Sequence, residues 1–230
     1  EASLRHHKAS LKLISPGDST TYYRILNNLS HSYKSAGKLD SALQMLIESK
    51  NFYQRNGLIY EQAVSDCNIG EMYREDFNDF EMARKHYLSS LSLHKIEGGS
   101  SDFSRVYHNY GILLRLNGQA DSADYFLNKS IEQRRKTGDS GGIAASLVEL
   151  GRVYLDRGDF GAAISNFATA LRISEKYGIE RGIYHCSLTL AEAHAEIGNY
   201  RVALANYEKA LRAAEQGDQL NFVLNVNQRM

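Results

Sequence analysis

A pattern of one small and one large residue, repeated at an almost constant interval, constrains this chain more than any other feature of its sequence. The small residue is Ser30, Gly70, Gly111, Gly151 or Ala191, at intervals of 40 or 41 residues. The large residue three places later is Tyr33, Tyr73, Leu114, Tyr154 or His194. Five matches at one period indicate a repeat protein, in which each unit buries its apolar face against its neighbours.

The stretch Leu147–Leu171 is the clearest copy of the pattern. Its first half places apolar residues at the three- and four-residue steps of one helix face, and Gly158 ends that helix. The second half repeats these steps in Ala163, Phe167 and Ala170. Each repeat is therefore predicted to be a pair of amphipathic helices joined by a short turn.

The composition fits a helical protein and argues against two classes of function. The sequence has one proline and no tryptophan, and its 27 basic residues are balanced by 27 acidic ones. A neutral chain provides no strong overall field for nucleic acid, so no nucleic-acid partner is predicted. No apolar run is long enough for a membrane-spanning helix.

Further positions repeat in register and identify the family. A glycine ends each first helix at Gly37, Gly118, Gly158 and Gly198, with Phe77 in its place in the second repeat. A small residue opens the core stripe of each second helix at Ala42, Ala83, Ala123, Ala163 and Ala203. This pattern resembles the tetratricopeptide repeat, and its period resembles the long-helix subgroup with the kinesin light chain, Pins/LGN adaptors and bacterial MalT- and Rap-type regulators.

The resemblance implies an all-α fold, a right-handed superhelix of antiparallel helix pairs. The expected organisation is a single solenoid domain over 1–230. Its full repeats are predicted at 23–62, 63–103, 104–143, 144–183 and 184–219. Residues 1–18 are expected to form the second helix of a truncated repeat, and 220–230 to begin another helix. The chain is therefore expected to be part of a larger protein, and self-association through its uncapped ends is a further expectation.

One short run matches the sequence around the nucleophilic serine of chymotrypsin-like proteases. It is Gly138-Asp139-Ser140-Gly141-Gly142. Proteolysis would also need a histidine base and a buried aspartate on a β-barrel. Because the run falls where each repeat places its turn, we predict a turn and no enzymatic activity.

Metal and cofactor sites are not predicted. The eight histidines are scattered, and the tightest set, His185, Cys186 and His194, is better explained by packing. Cys67 and Cys186 lie three repeats apart and are interpreted as small buried side chains.

The first helices are expected to line a concave groove that binds a partner. Two residues before the central small residue stand Asn28, Asn68 and Asn109. An amide both donates and accepts hydrogen bonds, so such a ladder suits the backbone of a bound peptide. In the kinesin light chain and LGN-like subgroup, an asparagine at this place contacts peptide backbone, and the resemblance implies that role here. Glu149 and Thr189 depart from the ladder in the last two repeats.

Basic residues surround the ladder and predict the charge of the ligand. They are Arg24, Lys34, Arg74, Arg105, Arg115 and Arg152, with His31 and His108 nearby. This pattern favours an acidic segment or a C-terminal carboxylate, although Glu71, Glu149 and Glu192 interrupt it. The alternative is that these are ordinary solvated helix residues.

Two functions fit these observations. The first is a non-catalytic module that binds a peptide or a partner-protein segment in the groove. The second is a sensory or regulatory domain of a multidomain bacterial signalling protein, attached to a histidine kinase or a transcriptional regulator.

Overall fold

A computed structural model describes residues 19–96 and 102–216, and most of these residues lie in helices. The ten helices of the described ranges are α1 Ser19–Ser35, α2 Leu39–Arg55, α3 Ile59–Glu75, α4 Phe80–Ile96, α5 Ser104–Leu116, α6 Ala120–Thr137, α7 Ser140–Asp156, α8 Phe160–Lys176, α9 Glu180–Glu196 and α10 Tyr200–Gln216. The odd-numbered helices are the first helices of the repeats and the even-numbered ones are the second helices. The all-α prediction is confirmed. The predictions for 1–18 and 220–230 lie outside the described residues.

The chain divides into two compact units, one up to Asn109 and one from Tyr110 onward. The division falls inside helix α5. Unit 1 contains α1 to α4 and the first residues of α5. Unit 2 contains the rest of α5 and α6 to α10. In unit 1, α1, α2, α3 and α4 pack each against the next, and in unit 2, α6, α7, α8, α9 and α10 do the same.

The central small residues allow the two helices of one hairpin to approach closely. In unit 1, a Cβ on Gly70 would lie 2.9 Å from the ring of Tyr87, which is fully buried. In unit 2, a Cβ on Gly151 would overlap the ring of the fully buried Phe167. Interiors this closely packed do not accept extra atoms without strain, so the small residue is required by its large partner.

Left-handed residues end the helices. Gly37, Gly118, Gly158 and Gly198 all have φ between 71° and 77°, a region that glycine adopts without steric cost. The second repeat differs from the sequence-based alignment, because Asn78 and not Phe77 takes the left-handed conformation, with φ of 57°. Asparagine tolerates this region better than bulky residues do, so the extra residue of that repeat is absorbed at Asn78.

The protease-like run is a helix junction. Gly138 ends α6 with φ of 74°, and Asp139 caps α7 by accepting a hydrogen bond of 2.8 Å from the backbone N–H of Gly142. The guanidinium of Arg134 donates to the carbonyl of Gly142 and to Ser146 Oγ. Gly138, Asp139 and Gly142 of this run therefore have structural roles in the turn between two repeats.

Candidate functional site

One pocket of unit 1 gathers five of the residues that the sequence predicts for ligand binding. They are Arg24, Asn28, His31, Asn68 and Arg105. The remaining lining residues are Asn27, Tyr53, Tyr60, Glu61 and Val64. This unit 1 pocket has a volume of about 360 Å³ and is built mainly by the first helices α1 and α3 and the start of α5. Pockets of this size accommodate small molecules or side chains.

A chain of hydrogen bonds crosses the floor of the unit 1 pocket. Asn27 Nδ2 donates to Ser65 Oγ at 2.8 Å, and Asn68 Nδ2 donates to Asn27 Oδ1 at 2.7 Å. Arg105 Nη2 in turn donates to Asn68 Oδ1. Three successive first helices are thus joined by side chains, and the amide of Asn68 is held in one orientation because both its ends have partners.

The three ladder asparagines occupy different environments. Asn28 is exposed, whereas Asn68 and Asn109 are buried. Asn109 Nδ2 donates to Glu71 Oε2 at 3.0 Å. Of the three amides, Asn28 is therefore the one most accessible to a ligand.

Two of the predicted cations of unit 1 are already neutralised within the unit. Lys34 Nζ lies 2.7 Å from Glu75 Oε2 and 3.0 Å from Asp76 Oδ2. Arg74 Nη2 lies 2.7 Å from Glu75 Oε1. Burial alone would lower the pKa of Lys34, but hydrogen bonds to Glu75 and Asp76 raise it, so this ammonium stays charged and paired.

The predicted cations of unit 2 are paired in the same way. Arg115 Nη1 lies 3.0 Å from Asp156 Oδ2, and Arg115 Nε lies 3.6 Å from Glu149 Oε2. Arg152 Nη1 lies 2.5 Å from Glu149 Oε1. Glu149, which replaces the ladder asparagine in this repeat, is mostly buried and forms ion pairs with both arginines.

Arg24 and Arg105 differ from the other basic residues. Neither makes an ion pair with a carboxylate of residues 19–96 or 102–216, within the 4.0 Å that defines one. Both side chains are exposed and both line the unit 1 pocket. Glu61 is the only acidic residue among the described lining residues, so the positive charge of the pocket is not balanced.

His31 lies at the junction of these charges. Burial lowers its pKa, and the cations Arg105 and Lys34 act in the same direction, while Glu71 opposes them. The imidazole is therefore neutral at physiological pH and offers one donor and one acceptor nitrogen. The remaining predicted residue, His108, lies on α5 and is half-buried, outside the unit 1 pocket.

Sequence reasoning missed Asn27 and Tyr60. Asn27 is buried and Asn28 is exposed. The repeat alignment, which counts two residues back from the central small residue, points only to Asn28. The two arginines without a described carboxylate partner, Arg24 and Arg105, occupy one equivalent repeat position, with Val64 at that position in the repeat between them.

The described residues contain neither a group of side chains suited to bind a metal ion nor a cysteine with a lowered thiol pKa. Within residues 19–96 and 102–216 no group of three or more His, Cys, Asp or Glu side chains is placed to hold a metal ion. Cys67 and Cys186 are free and buried, as predicted, and burial raises the pKa of both thiols. Each described helix is too short or too polar to cross a membrane.

Comparison with protein families identifies the repeat. Tetratricopeptide repeat models match residues 102–176 and 142–216, and a further tetratricopeptide repeat model matches residues 24–56. The chain belongs to the tetratricopeptide repeat family. Proteins of this family are in general interaction modules without catalytic activity, and no catalytic family matches. A search of curated proteins found no match.

Solved structures share the fold at low sequence identity. A signal transduction ATPase with numerous domains from Pyrococcus horikoshii, which has a tetratricopeptide repeat sensor, aligns with a TM-score of 0.79 and 17% identity. That alignment covers 96% of this chain and 33% of the ATPase, so the chain spans about one third of that protein. A Rap protein complexed with Competence and Sporulation Factor gives a TM-score of 0.79 at 15% identity, covering 97% of this chain and 61% of that one.

A kinesin light chain relative also shares the fold. The putative kinesin light chain repeats of Podosopora anserina align with a TM-score of 0.68 and 18% identity, covering 87% of this chain and 98% of that one. The tetratricopeptide assignment made from the sequence is confirmed, and both kinesin light chain-like and Rap structures are among its structural neighbours.

Proposed function

We propose that unit 1 binds a peptide, or an extended segment of a partner protein, on the face formed by its first helices. The observation that carries the proposal is the unit 1 pocket, where Arg24, Asn28 and Arg105 present hydrogen-bonding groups without engaging a described carboxylate. Because tetratricopeptide repeat proteins are in general interaction modules without catalytic activity, the proposed role is binding.

Asn28 is the proposed contact to the backbone of the bound segment. Its amide is exposed and can donate to a peptide carbonyl and accept from a peptide N–H. Asn68 and Asn109 keep part of their hydrogen-bonding capacity, since a primary amide has two N–H donors and two lone pairs. In this proposal they support the surface from below, while Asn28 makes the outer contact.

Selection from a random peptide library displayed on phage tests this function without a known ligand. The immobilised 230-residue chain is expected to enrich peptides, and an enriched peptide is then titrated against the wild type and Asn28→Ala. Removing a contact of this kind weakens binding by roughly five- to tenfold. Asn128→Ala, an exposed asparagine on the second helix α6, is the matched control and should bind unchanged. Equal affinities for both variants would contradict the role of Asn28.

A second candidate is a sensory or regulatory domain of a larger signalling protein. The similarity to the tetratricopeptide repeat sensor of the signal transduction ATPase and to a Rap protein favours it. The coding sequence on either side of these 230 residues tests it directly. A kinase, a membrane anchor or a helix-turn-helix region supports a signalling role, and a stand-alone reading frame contradicts it.

A further inference from the structure

The junction between the first two repeats of unit 1 carries an ion pair at positions that are uncharged in the other repeats. Asp66 stands four residues before the central Gly70, at a position that the other repeats fill with Leu26, Tyr107, Leu147 or Ser187. Lys50 stands eight residues after Ala42, where the later second helices carry Leu91, Ile131, Leu171 or Leu211. The two side chains meet, with Lys50 Nζ 2.7 Å from Asp66 Oδ1. A matched charge pair therefore replaces uncharged packing at this one junction.

We propose that Asp66 is a positioning residue for the unit 1 pocket, because it fixes the rotation of α3 against α2 and α4 and thereby holds Asn68 in its place on the pocket floor. The inference rests on the proposed function and names a residue, remote from the ligand, on which binding depends. Asp66 is not among the described residues that line the pocket. Its effect on affinity must therefore pass through the helix that it shares with Asn68.

On the outer side of α3, Asp66 is bonded to both neighbouring second helices. Its Oδ1 lies 2.7 Å from Lys50 Nζ of α2 and 2.7 Å from His86 Nδ1 of α4. Its Oδ2 accepts a hydrogen bond of 2.8 Å from Ser89 Oγ, also of α4. Tyr73, two turns further along α3, stacks on the His86 ring with centroids 5.6 Å apart. Because the carboxylate is fully buried, water does not compete for these bonds, and they fix one geometry.

The inner side of α3 carries the floor of the pocket. Successive residues of an α-helix are about 100° apart, so Asp66 and Asn68 point to nearly opposite sides. Ser65 lies on the same side as Asn68 and accepts a hydrogen bond of 2.8 Å from Asn27 of α1. Asn68 donates to Asn27 at 2.7 Å and accepts from Arg105 of α5. One helix therefore joins the bonds of Asp66 to those of the pocket floor.

A small rotation of α3 would be enough to disturb that floor. Side-chain atoms lie about 5–6 Å from the helix axis, so a rotation of about 10° moves them by roughly 1 Å. The bond of 2.7 Å between Asn68 and Asn27 is broken by a displacement of that size along its length. The pocket then loses the defined orientation of Arg105, and binding has to restore it at a cost in entropy.

The use of a charge pair favours positioning over stability as its role. The attraction within a largely buried ion pair does little more than offset the cost of removing the charges from water, and an apolar pair of similar volume is often as stabilising. Apolar side chains can slide against one another, whereas Lys50 and Asp66 bond in one arrangement. A charge pair directly opposite the pocket floor is therefore explained by the geometry that it imposes.

The first test exchanges the charge pair for the apolar pair of a later junction. Lys50→Ile/Asp66→Leu copies Ile131 and Leu147, and circular dichroism checks that the variant is folded at the temperature of titration. We expect it to resist urea about as well as the wild type, but to bind an enriched peptide roughly three- to tenfold more weakly. Wild-type affinity in the folded variant overturns the inference and leaves peptide binding standing. If no peptide is enriched, the proposed function fails, and the inference with it.

A milder variant keeps the inference testable if the exchanged pair does not fold. Ser89→Ala removes only the bond to Asp66 Oδ2, and Ser92→Ala, an exposed serine of the same helix, is the matched control. Peptide affinity should fall by about twofold or more in Ser89→Ala and stay unchanged in Ser92→Ala. Equal affinities of the two variants contradict the inference.

The free protein provides a readout that a loss of stability alone would not change. The side-chain amide protons of Asn68, assigned by their absence from the NMR spectrum of Asn68→Ala, report its bond to Asn27. They are expected to exchange slowly with solvent in the wild type and in Ser92→Ala, and severalfold faster in Ser89→Ala and in the exchanged pair. Exchange at the wild-type rate in the latter two would show that Asp66 does not position Asn68 and would overturn the inference.

Discussion

The first helices of unit 1 and those of unit 2 use the same repeat positions for different purposes. In unit 1, Arg24 and Arg105 leave their charges available in a pocket. In unit 2, the equivalent positions hold Ala145 and His185, and no arginine replaces them there. Unit 2 instead uses Glu149 to neutralise arginines of its own helices.

The difference teaches where in a repeat protein to look for a ligand. The stretch Leu147–Leu171 is the most regular copy of the pattern and reveals the architecture best. Its regular positions are occupied by residues that pack the helices together. Its Glu149 forms ion pairs with Arg115 and Arg152 of the same unit. Unit 1 departs from that regularity at Ser30, at Asn78, and at Arg24 and Arg105, and the last two line the proposed site.

The largest expected effect comes from the buried carboxylate of unit 1. Asp66 is fully buried and contacts Lys50 Nζ and His86 Nδ1, both at 2.7 Å, and Ser89 Oγ at 2.8 Å. Asp66→Ala leaves the partly buried ammonium of Lys50 without its partner and is expected to lower the free energy of unfolding by about 3 kcal/mol. Urea denaturation measures this. Glu132→Ala, which removes exposed ion pairs in unit 2, should give no measurable change.

The same carboxylate predicts how stability depends on pH. Burial alone would raise the pKa of Asp66, but hydrogen bonds from His86, Lys50 and Ser89 lower it below the value in the unfolded chain. Its contribution is therefore complete above the unfolded pKa, about 3.9, and is lost as pH falls through the folded value. In urea denaturation at neutral and acidic pH, the stability difference between wild type and Asp66→Asn should shrink on acidification. A constant difference would contradict the assignment.

The second effect tests the architecture of unit 2. Gly151→Ala places a methyl group against the Phe167 ring and is expected to destabilise the protein by about 1–3 kcal/mol, although alanine is the better helix former. Gly161→Ala is the control, since its Cβ would meet nothing nearer than Asp159 Oδ1 at 3.6 Å. That variant should be neutral or slightly more stable. Similar melting temperatures for the two variants would show that close helix approach is not limiting.

The smallest effect separates the roles of two asparagines in unit 1. Asn68→Ala removes buried hydrogen bonds to Asn27 and Arg105 and is expected to cost about 1–2 kcal/mol of stability. Asn28→Ala changes an exposed side chain and should alter stability by less than about 0.5 kcal/mol. Thermal unfolding of both variants checks this. An equal loss at Asn28 would mean that its amide also supports the fold.

The sequence was sufficient for the architecture because packing repeats with the period of the chain. The glycine at position 151 and its partner Phe167 lie within one copy, so their spacing can be read directly. The second repeat was the exception, because an inserted residue moves the left-handed turn to Asn78 and one sequence cannot show which residue takes it.

The charges of the site were harder to predict because their partners lie in the next repeat. Lys34 pairs with Glu75, and Arg115 pairs with Asp156, each 41 residues away. A list of basic residues at groove positions therefore overestimates the free charge of the groove. The interhelical bond between Asn27 and Asn68 was missed for the same reason, since the two residues lie 41 positions apart in successive repeats.

One measurement compares the two units directly. A peptide enriched on the wild-type chain is titrated against Arg24→Gln/Arg105→Gln in unit 1 and Arg115→Gln/Arg152→Gln in unit 2, with circular dichroism confirming that both variants are folded. The unit 1 variant is expected to lose about tenfold or more in affinity, because each arginine contributes a charge-assisted contact, and the unit 2 variant should bind like the wild type. Loss of binding in the unit 2 variant with full affinity in the unit 1 variant would contradict the account.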